Sequence, residues 1–254
     1  MAVAAIVHFF LGSAWTLLAA EAVTVLTVWL ATLLPPLLPS GAGRVTVIGA
    51  MLEIWSVFKH IFTRKLIWFY FVLFASMQGL IAVGVTLGPG FFDEVLGISI
   101  DRSPLFVLPM ITLGVVLGAV FTHSDRLRES TFVVSGMGLI GIIGVILGLI
   151  LKWGLFIGKY LLIPVSAYLT ALGFGVIVTI IASRAVLQKK IAHRAQGTVF
   201  GAQIVLAAFF AGVMSPISAG LEAIFGYVNL LILASLSFCA FAAVLVYMGR
   251  RWKF

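Results

Sequence analysis

Residues 131–151 read TFVVSGMGLIGIIGVILGLIL and contain no charged side chain. An α-helix of about 20 apolar residues spans the hydrocarbon core of a bilayer, and its backbone polar groups are paired within the helix. Strands of a membrane barrel are instead segments of about 10 residues in which polar and apolar positions alternate. This stretch therefore predicts a transmembrane helix.

The composition extends that prediction to the whole chain. Of its 254 residues, 63% are hydrophobic and 9% are charged, and the mean hydropathy is +1.24. A chain this apolar cannot bury its hydrophobic surface in one soluble core, so lipid must cover the excess. We expect an all-α, polytopic membrane protein whose first partner is the lipid bilayer.

Several function classes find no support in the sequence. The formal net charge is +8, but the basic residues occupy short breaks between apolar runs and do not form a basic face, so no nucleic acid is expected as a partner. The single cysteine, Cys239, excludes an internal disulfide. We find no metal-ligand spacing, no pair of nucleophile and base, and no phosphate-binding loop. An enzyme, a resident metal and a cofactor are therefore not expected.

The chain divides into three parts. Residues 1–40 hold a partial helix (2–12) and one full transmembrane helix (about 14–36), which a proline-rich stretch ends. Residues 41–65 form a connection in which 45–62 has the periodicity of an amphipathic helix lying in the membrane interface. Residues 66–254 contain six predicted spans, at 66–88, 104–122, 131–151, 160–182, 198–219 and 227–248.

Charge sets the predicted orientation, because lysine and arginine near the ends of spans favour the cytoplasm. If successive breaks alternate sides, 13 basic residues fall on one side and 3 on the other, which accounts for all 16 in the sequence. The larger group includes residues of the 41–65 connection and of the C-terminus. Both are therefore predicted to be cytoplasmic, in a cytoplasmic (inner) membrane.

Three stretches resemble motifs of the major facilitator superfamily of transporters. Between the second and third of the six spans, 118–129 reads GAVFTHSDRLRE, which is similar to the family's glycine and acidic-basic motif but lacks its second glycine. After the fourth span, 193–201 reads HRAQGTVFG and resembles the Arg-Gly-x-x-Phe-Gly stretch that opens the fifth. Residues 12–15 resemble the turn between the fifth and sixth helices of the family's N-terminal half.

The resemblance covers essentially the whole chain and implies a six-helix C-terminal bundle, preceded by about one and a half helices of the N-terminal half. Helices one to four of the family and most of the fifth have no counterpart here. We therefore expect a fragment of a longer transporter, with a natural half-sized protein as the alternative. Its partner would be the missing N-terminal half or a self-associated copy.

The function that this resemblance implies is secondary active transport of an unknown small molecule by alternating access. Some exporters of the superfamily are similar, but substrate, direction and coupling ion are left open. A helical scaffold or assembly subunit of a membrane complex, without a transport path, is the alternative that the sequence also allows.

Candidate site residues follow from polarity inside apolar spans. Glu21 is the one acidic residue deep within a predicted span, where charge is costly, and is a candidate for proton coupling. The resemblance places three further spans along a central cavity, and the candidates on them are Met77, Gln78, Tyr168, Thr170 and Gln203. It also implies a cytoplasmic latch formed by Asp125, Arg126 and Arg128. Each has a simpler interpretation, such as an interhelical hydrogen bond or a solvated loop.

Glycines recur in the second and third of the six spans and predict close helix packing. Gly114 and Gly118 lie four residues apart, which places them on one face of a helix. A further five follow in the next span, at Gly136, Gly138, Gly141, Gly144 and Gly148. Small residues let helix backbones approach in a membrane, so we expect these faces to be helix interfaces.

Overall fold

The computed structural model describes residues 62–123, 129–155, 158–191 and 193–252, together with Lys59. The part of the chain so described is helical and contains no β-strand. Five long helices follow one another: α1 Lys65–Gly90, α2 Ser103–Thr122, α3 Glu129–Trp153, α4 Leu162–Lys190 and α5 His193–Trp252. A short π-helical turn, Phe91–Val95, extends α1, and a short 3-10 helix, Gly158–Leu161, precedes α4.

All five helices are long and apolar enough to cross a membrane. At a rise of 1.5 Å per residue, about 20 residues already span the hydrocarbon core of roughly 30 Å. The predicted class, an all-α protein with membrane-spanning helices, is confirmed at this level. Residues 1–40 and the interfacial helix predicted at 45–62 lie outside the described residues, apart from Lys59 and Phe62.

Helix α5 has 60 residues but is interrupted at Gly226, whose φ of 74° and ψ of 160° are not helical. We call the segment before this glycine α5a (193–225) and the segment after it α5b (227–252). Ser215 of α5a hydrogen bonds to Thr86 of α1, and Tyr227 of α5b contacts Phe91 just beyond α1. From there α5b returns along α1. The chain therefore reverses direction at the interruption.

Contacts at two points along each pair give the relative directions of α1, α5a and α5b. Gly79 of α1 lies against Phe210, and the later residue Thr86 meets Ser215, so α1 and α5a run parallel. By contrast, Phe69 near the start of α1 stacks on Phe241, with ring centroids 6.1 Å apart. Since the other end of α1 meets the beginning of α5b, these two helices are antiparallel.

The same comparison orients α2 against α4. Ile111 of α2 lies against Gly173 of α4. Further along both helices, Gly118 lies against Ile177. Helices α2 and α4 are therefore parallel.

Helix α3 is antiparallel to both of its main neighbours. Its residues Gly136 and Gly144 lie against Gly175 and Tyr168 of α4, in reverse order. On another face, Gly141 and Gly148 lie against Cys239 and Ile232 of α5b, again in reverse order. The six segments from α1 to α5b thus alternate in direction along the chain.

The packing pattern has an internal symmetry. In this symmetry α1 corresponds to α4, α2 to α5a and α3 to α5b. The parallel pair α1 and α5a then corresponds to the parallel pair α4 and α2. Likewise, the antiparallel pair α1 and α5b corresponds to the antiparallel pair α4 and α3. The two remaining pairs, α1 with α4 and α3 with α5b, map onto themselves. Because α1 and α4 point in opposite directions, the two groups of three helices have inverted topology.

Glycines make the closest helix contacts, as the sequence predicted. A Cβ atom on Gly136 would lie 2.9 Å from the carbonyl oxygen of Gly175, and one on Gly141 would lie 2.8 Å from the backbone nitrogen of Cys239. Gly114, Gly118, Gly144 and Gly148 are equally enclosed by neighbouring helices. Gly138 is the exception, since its nearest neighbour, Ala242, would be 4.0 Å away.

Three predicted helix boundaries differ from the structure. Helix α4 does not end near 182 but continues to Lys190, and basic residues in its last turns interact favourably with the helix C-terminus. Helix α1 continues through Pro89 to Gly90, and the π-helical turn that follows absorbs the irregularity. The spans predicted at 198–219 and 227–248 both lie in α5, and helical structure continues between them up to Gly226.

Candidate functional site

Four of the residues predicted to have functional roles lie outside the described part of the chain. They are the coupling candidate Glu21 and the latch candidates Asp125, Arg126 and Arg128. The remaining five candidates lie on α1, α4 and α5a, which the packing pattern brings together around the pair formed by α1 and α4.

On α1, the two adjacent candidates have different surroundings. The side chain of Met77 is buried in the hydrophobic core, in a cluster that Tyr168 of α4 also packs against. Gln78 is only half-buried, and Ile81 and Val85 on the same helical face are exposed. Gln78 is therefore the candidate on α1 that lies at an open face.

On α4, the two candidates also lie on different faces. Tyr168 packs against two hydrophobic clusters, and its ring lies close to Gly144 of α3 and Ser235 of α5b. Thr170 is half-buried and belongs to a stripe at helical spacing in which no side chain is buried. That stripe consists of Ile163, Ala167, Thr170, Phe174, Ile177, Ile181, Arg184 and Gln188. Helix α2 packs on the middle of this stripe, where Gly114 and Gly118 lie against Thr170 and Ile177. We call it the partly exposed stripe of α4.

Gln203 of α5a is the most enclosed of the five candidates. Its side chain is 1% exposed and lies one helical turn from both Val199 and Ala207, which face the core. Within the described residues its Nε2 atom has no hydrogen-bond acceptor. A buried amide donor without a partner costs about 1–3 kcal/mol, so this atom is the clearest polar irregularity among the candidates.

Three buried hydroxyl groups that were not predicted as candidates share this property. Thr179 and Ser183 on α4 and Ser235 on α5b have no hydrogen-bond partner within the described residues. Hydroxyls in helices commonly bond to the carbonyl four residues earlier, as Ser76, Ser166 and Ser237 do here. The spacing of Thr179 and Ser183, one turn apart in an apolar helix, was the signal that could have identified the first two.

Arg184 is the one charged residue on the partly exposed stripe of α4, and it lies beyond the span predicted at 160–182. Its side chain is exposed, yet the guanidinium carbon lies 5.1 Å from the centroid of the Phe74 ring on α1. Phe74 itself is 4% exposed. A cation over an aromatic face is attracted to it, so this contact holds the charge inward, against α1.

Other charges at the same end of the bundle are arranged differently. Glu129, at the start of α3, forms a salt bridge with Lys189, near the end of α4. Lys190 is exposed. The side chain of Gln196 on α5a donates hydrogen bonds to the carbonyl oxygens of Gln188 and Ile191 and so ties the turn between α4 and α5.

The opposite end of the bundle carries a shallow surface groove between the π-helical turn and α2. Ile98, Arg102, Leu105 and Phe106 line it. Four carboxylates lie at this end, on Asp93, Glu94, Asp101 and Glu222. Across the described residues, no cluster of three or more histidine, cysteine, aspartate or glutamate side chains could hold a metal ion.

The chain was compared with known protein families, curated proteins and solved structures. No family model, no curated protein and no solved structure matches the chain.

Proposed function

We propose that the chain forms a six-helix bundle of a secondary transporter of the major facilitator type, which moves a small molecule across the cytoplasmic membrane by alternating access. The observation that supports this most directly is the inverted topology of its two groups of three helices. Inverted repeats of three helices are nested within each half of such transporters, and the substrate lies near the middle of the membrane between repeats.

The inverted arrangement matters physically because it gives the bundle two equivalent ways to pack. If the two groups exchange conformations, the transport path opens at the end of the bundle where it was closed and closes at the other end. Alternating access can then proceed by rocking of rigid parts, with no covalent chemistry. In this proposal α1 and α4, which the symmetry exchanges, line the path, and Gln78 and Gln203 contribute polar groups to it.

A second bundle is part of the proposal. The outer faces of α2 and α5a carry exposed large apolar side chains, among them Val120 on α2 and Phe209 on α5a. Lipid can cover such side chains, but the amide of Gln78 at the open face of α1 is unfavourable in hydrocarbon. We infer that a second set of helices, from an N-terminal half or from another copy of the chain, covers the open face of α1.

The proposed orientation places the end with Arg64, Lys65, Lys189 and Lys190 in the cytoplasm. In a Cys239→Ser background, Lys190→Cys should react with a membrane-impermeant maleimide in inside-out vesicles and remain unlabelled in intact spheroplasts. Lys152→Cys, exposed at the opposite end of α3, is the matched control and should show the reverse pattern. Labelling of Lys190→Cys from outside would contradict the proposed topology.

Alternating access predicts that Gln78 is reachable from both sides of the membrane. In the same background, Gln78→Cys should react with a charged methanethiosulfonate reagent both in intact cells and in inside-out vesicles, because each conformation opens the path at one end. The control Ile146→Cys, exposed on an apolar face of α3, should not react, since a thiol in lipid is not ionised. Labelling of Gln78→Cys from one side only, or from neither, would favour a static scaffold.

A further inference from the structure

Arg184 and Gln203 both present hydrogen-bond donors that have no acceptor in the described structure. Arg184 makes no salt bridge with any described carboxylate, and its one described contact as a cation is with Phe74. The Nε2 atom of Gln203 is buried and unpaired. Arg184 is exposed and Gln203 is buried, and a ligand that met both would supply acceptor oxygens to each.

Both residues lie around the same point on α1. Phe74 and Ala75 of α1 form a buried cluster with Ala207 of α5a, against which Ile180 of α4 packs. Gln203 is one helical turn from Ala207, and Arg184 is one turn from Ile180. The Arg184 guanidinium lies over the ring of Phe74 itself. The two donors therefore lie near the same region of α1, on two helices that both pack against it.

The chemistry of the guanidinium defines what would bind. The guanidinium carbon lies 5.1 Å from the centroid of the Phe74 ring, and no described carboxylate pairs with the N–H donors of the group. The edge of a guanidinium matches the two oxygens of a carboxylate or phosphate and binds them in a bidentate manner. A lysine in this position would offer a point charge without the two parallel N–H donors that match a carboxylate or phosphate.

Among the described residues, no carboxylate competes for the site. The one described carboxylate at this end of the bundle, that of Glu129, pairs with Lys189. The described carboxylates of Asp93, Glu94, Asp101 and Glu222 are at the other end. An anion that approaches the exposed side chain of Arg184 therefore meets no described carboxylate positioned to repel it.

We propose that Arg184, held by Phe74, and Gln203 bind the carboxylate or phosphate group of the transported molecule, which is therefore an organic anion. That the anion is transported rests on the proposed transport function, whereas the anion site itself rests on the two donors alone. Gln203 contributes a neutral donor, and Arg184 supplies the charge.

The test measures anion binding to the full chain in nanodiscs of phosphatidylcholine. Inorganic phosphate or succinate should raise the unfolding temperature relative to sodium chloride of equal ionic strength. Arg184→Gln should weaken the apparent affinity by about tenfold or more, because hydrogen bonds to charged groups contribute about 1.5–3 kcal/mol. Gln203→Leu should weaken it less. Lys190→Gln removes one positive charge at the same end and is the control, with affinity unchanged.

Arg184→Lys keeps the charge and provides a second variant if Arg184→Gln does not fold. Phosphate and succinate should bind it more weakly than wild type, because the two parallel N–H donors are lost. A response that is equal in wild type and in the Arg184 variants would overturn the proposal, as would no response in wild type.

A parallel arm distinguishes a lipid headgroup from a soluble anion. It replaces part of the phosphatidylcholine with phosphatidylglycerol and adds no soluble anion. Stabilisation through Arg184 by this lipid alone, with no effect of phosphate or succinate, would overturn the assignment to a transported molecule. None of these measurements requires movement of the helices, so this site can be confirmed even if Gln78→Cys reacts from one side only.

Discussion

Replacing Gly114 by alanine is expected to destabilise the bundle by about 1–3 kcal/mol, the usual cost of forcing extra volume into a packed interface. A Cβ atom at this position would collide with the carbonyl oxygen of Thr170 and would lie 2.8 Å from the backbone nitrogen of Phe174. Both obstacles are backbone atoms of α4, which cannot rotate away as a side chain can. Helix α2 must therefore move outward along its contact with α4.

Gly212→Ala is the matched control, because nothing lies within 4 Å of the position where its Cβ would be built. Alanine is the better helix former by about 1 kcal/mol, so this variant should be unchanged or slightly more stable. Reversible unfolding of the purified chain in mixed micelles, followed by circular dichroism, measures both. Equal stability of the two variants would mean that α2 and α4 do not pack at Gly114.

The spans were predictable from the sequence because the bilayer imposes a simple rule. A run such as 131–151 must be helical to pair its backbone in lipid, and α3 covers that run with two further residues at each end. The rule does not determine where a helix ends once it has left the hydrocarbon. Helix α4 therefore extends beyond its predicted end and carries Arg184 with it, and α5a extends to Gly226.

Which polar residues meet one another could not be predicted in the same way. Periodicity assigned Gln203 to an apolar span, but its burial and its unpaired amide depend on how α5a packs against α1. The contact of Arg184 with Phe74 joins residues far apart in the sequence. Six spans that alternate in direction already make the first opposite to the fourth, but the symmetric pairing of the helices becomes visible only in the structure, since the six apolar spans differ too little in character to reveal it.

Gly226→Ala is expected to cost about 1–3 kcal/mol, through backbone strain and not through a steric collision with a neighbour. The φ of 74° and ψ of 160° at this residue fall in a region that is essentially restricted to glycine. These angles turn α5a back into α5b and place Tyr227 against Phe91 at the end of α1. A residue with a Cβ atom would shift the turn and loosen both return contacts, including the stacking of Phe241 on Phe69.

Gly220→Ala separates strain from volume, because the two glycines differ in backbone conformation but not in available space. Nothing lies within 4 Å of a Cβ built at either position, and Gly220 lies within the helical part of α5a. Gly220→Ala should therefore match or exceed wild type in stability, while Gly226→Ala unfolds at a lower denaturant concentration. If the two variants are equally stable, α5 does not reverse at Gly226. That result would contradict the alternating helix directions and the inverted topology that depends on them.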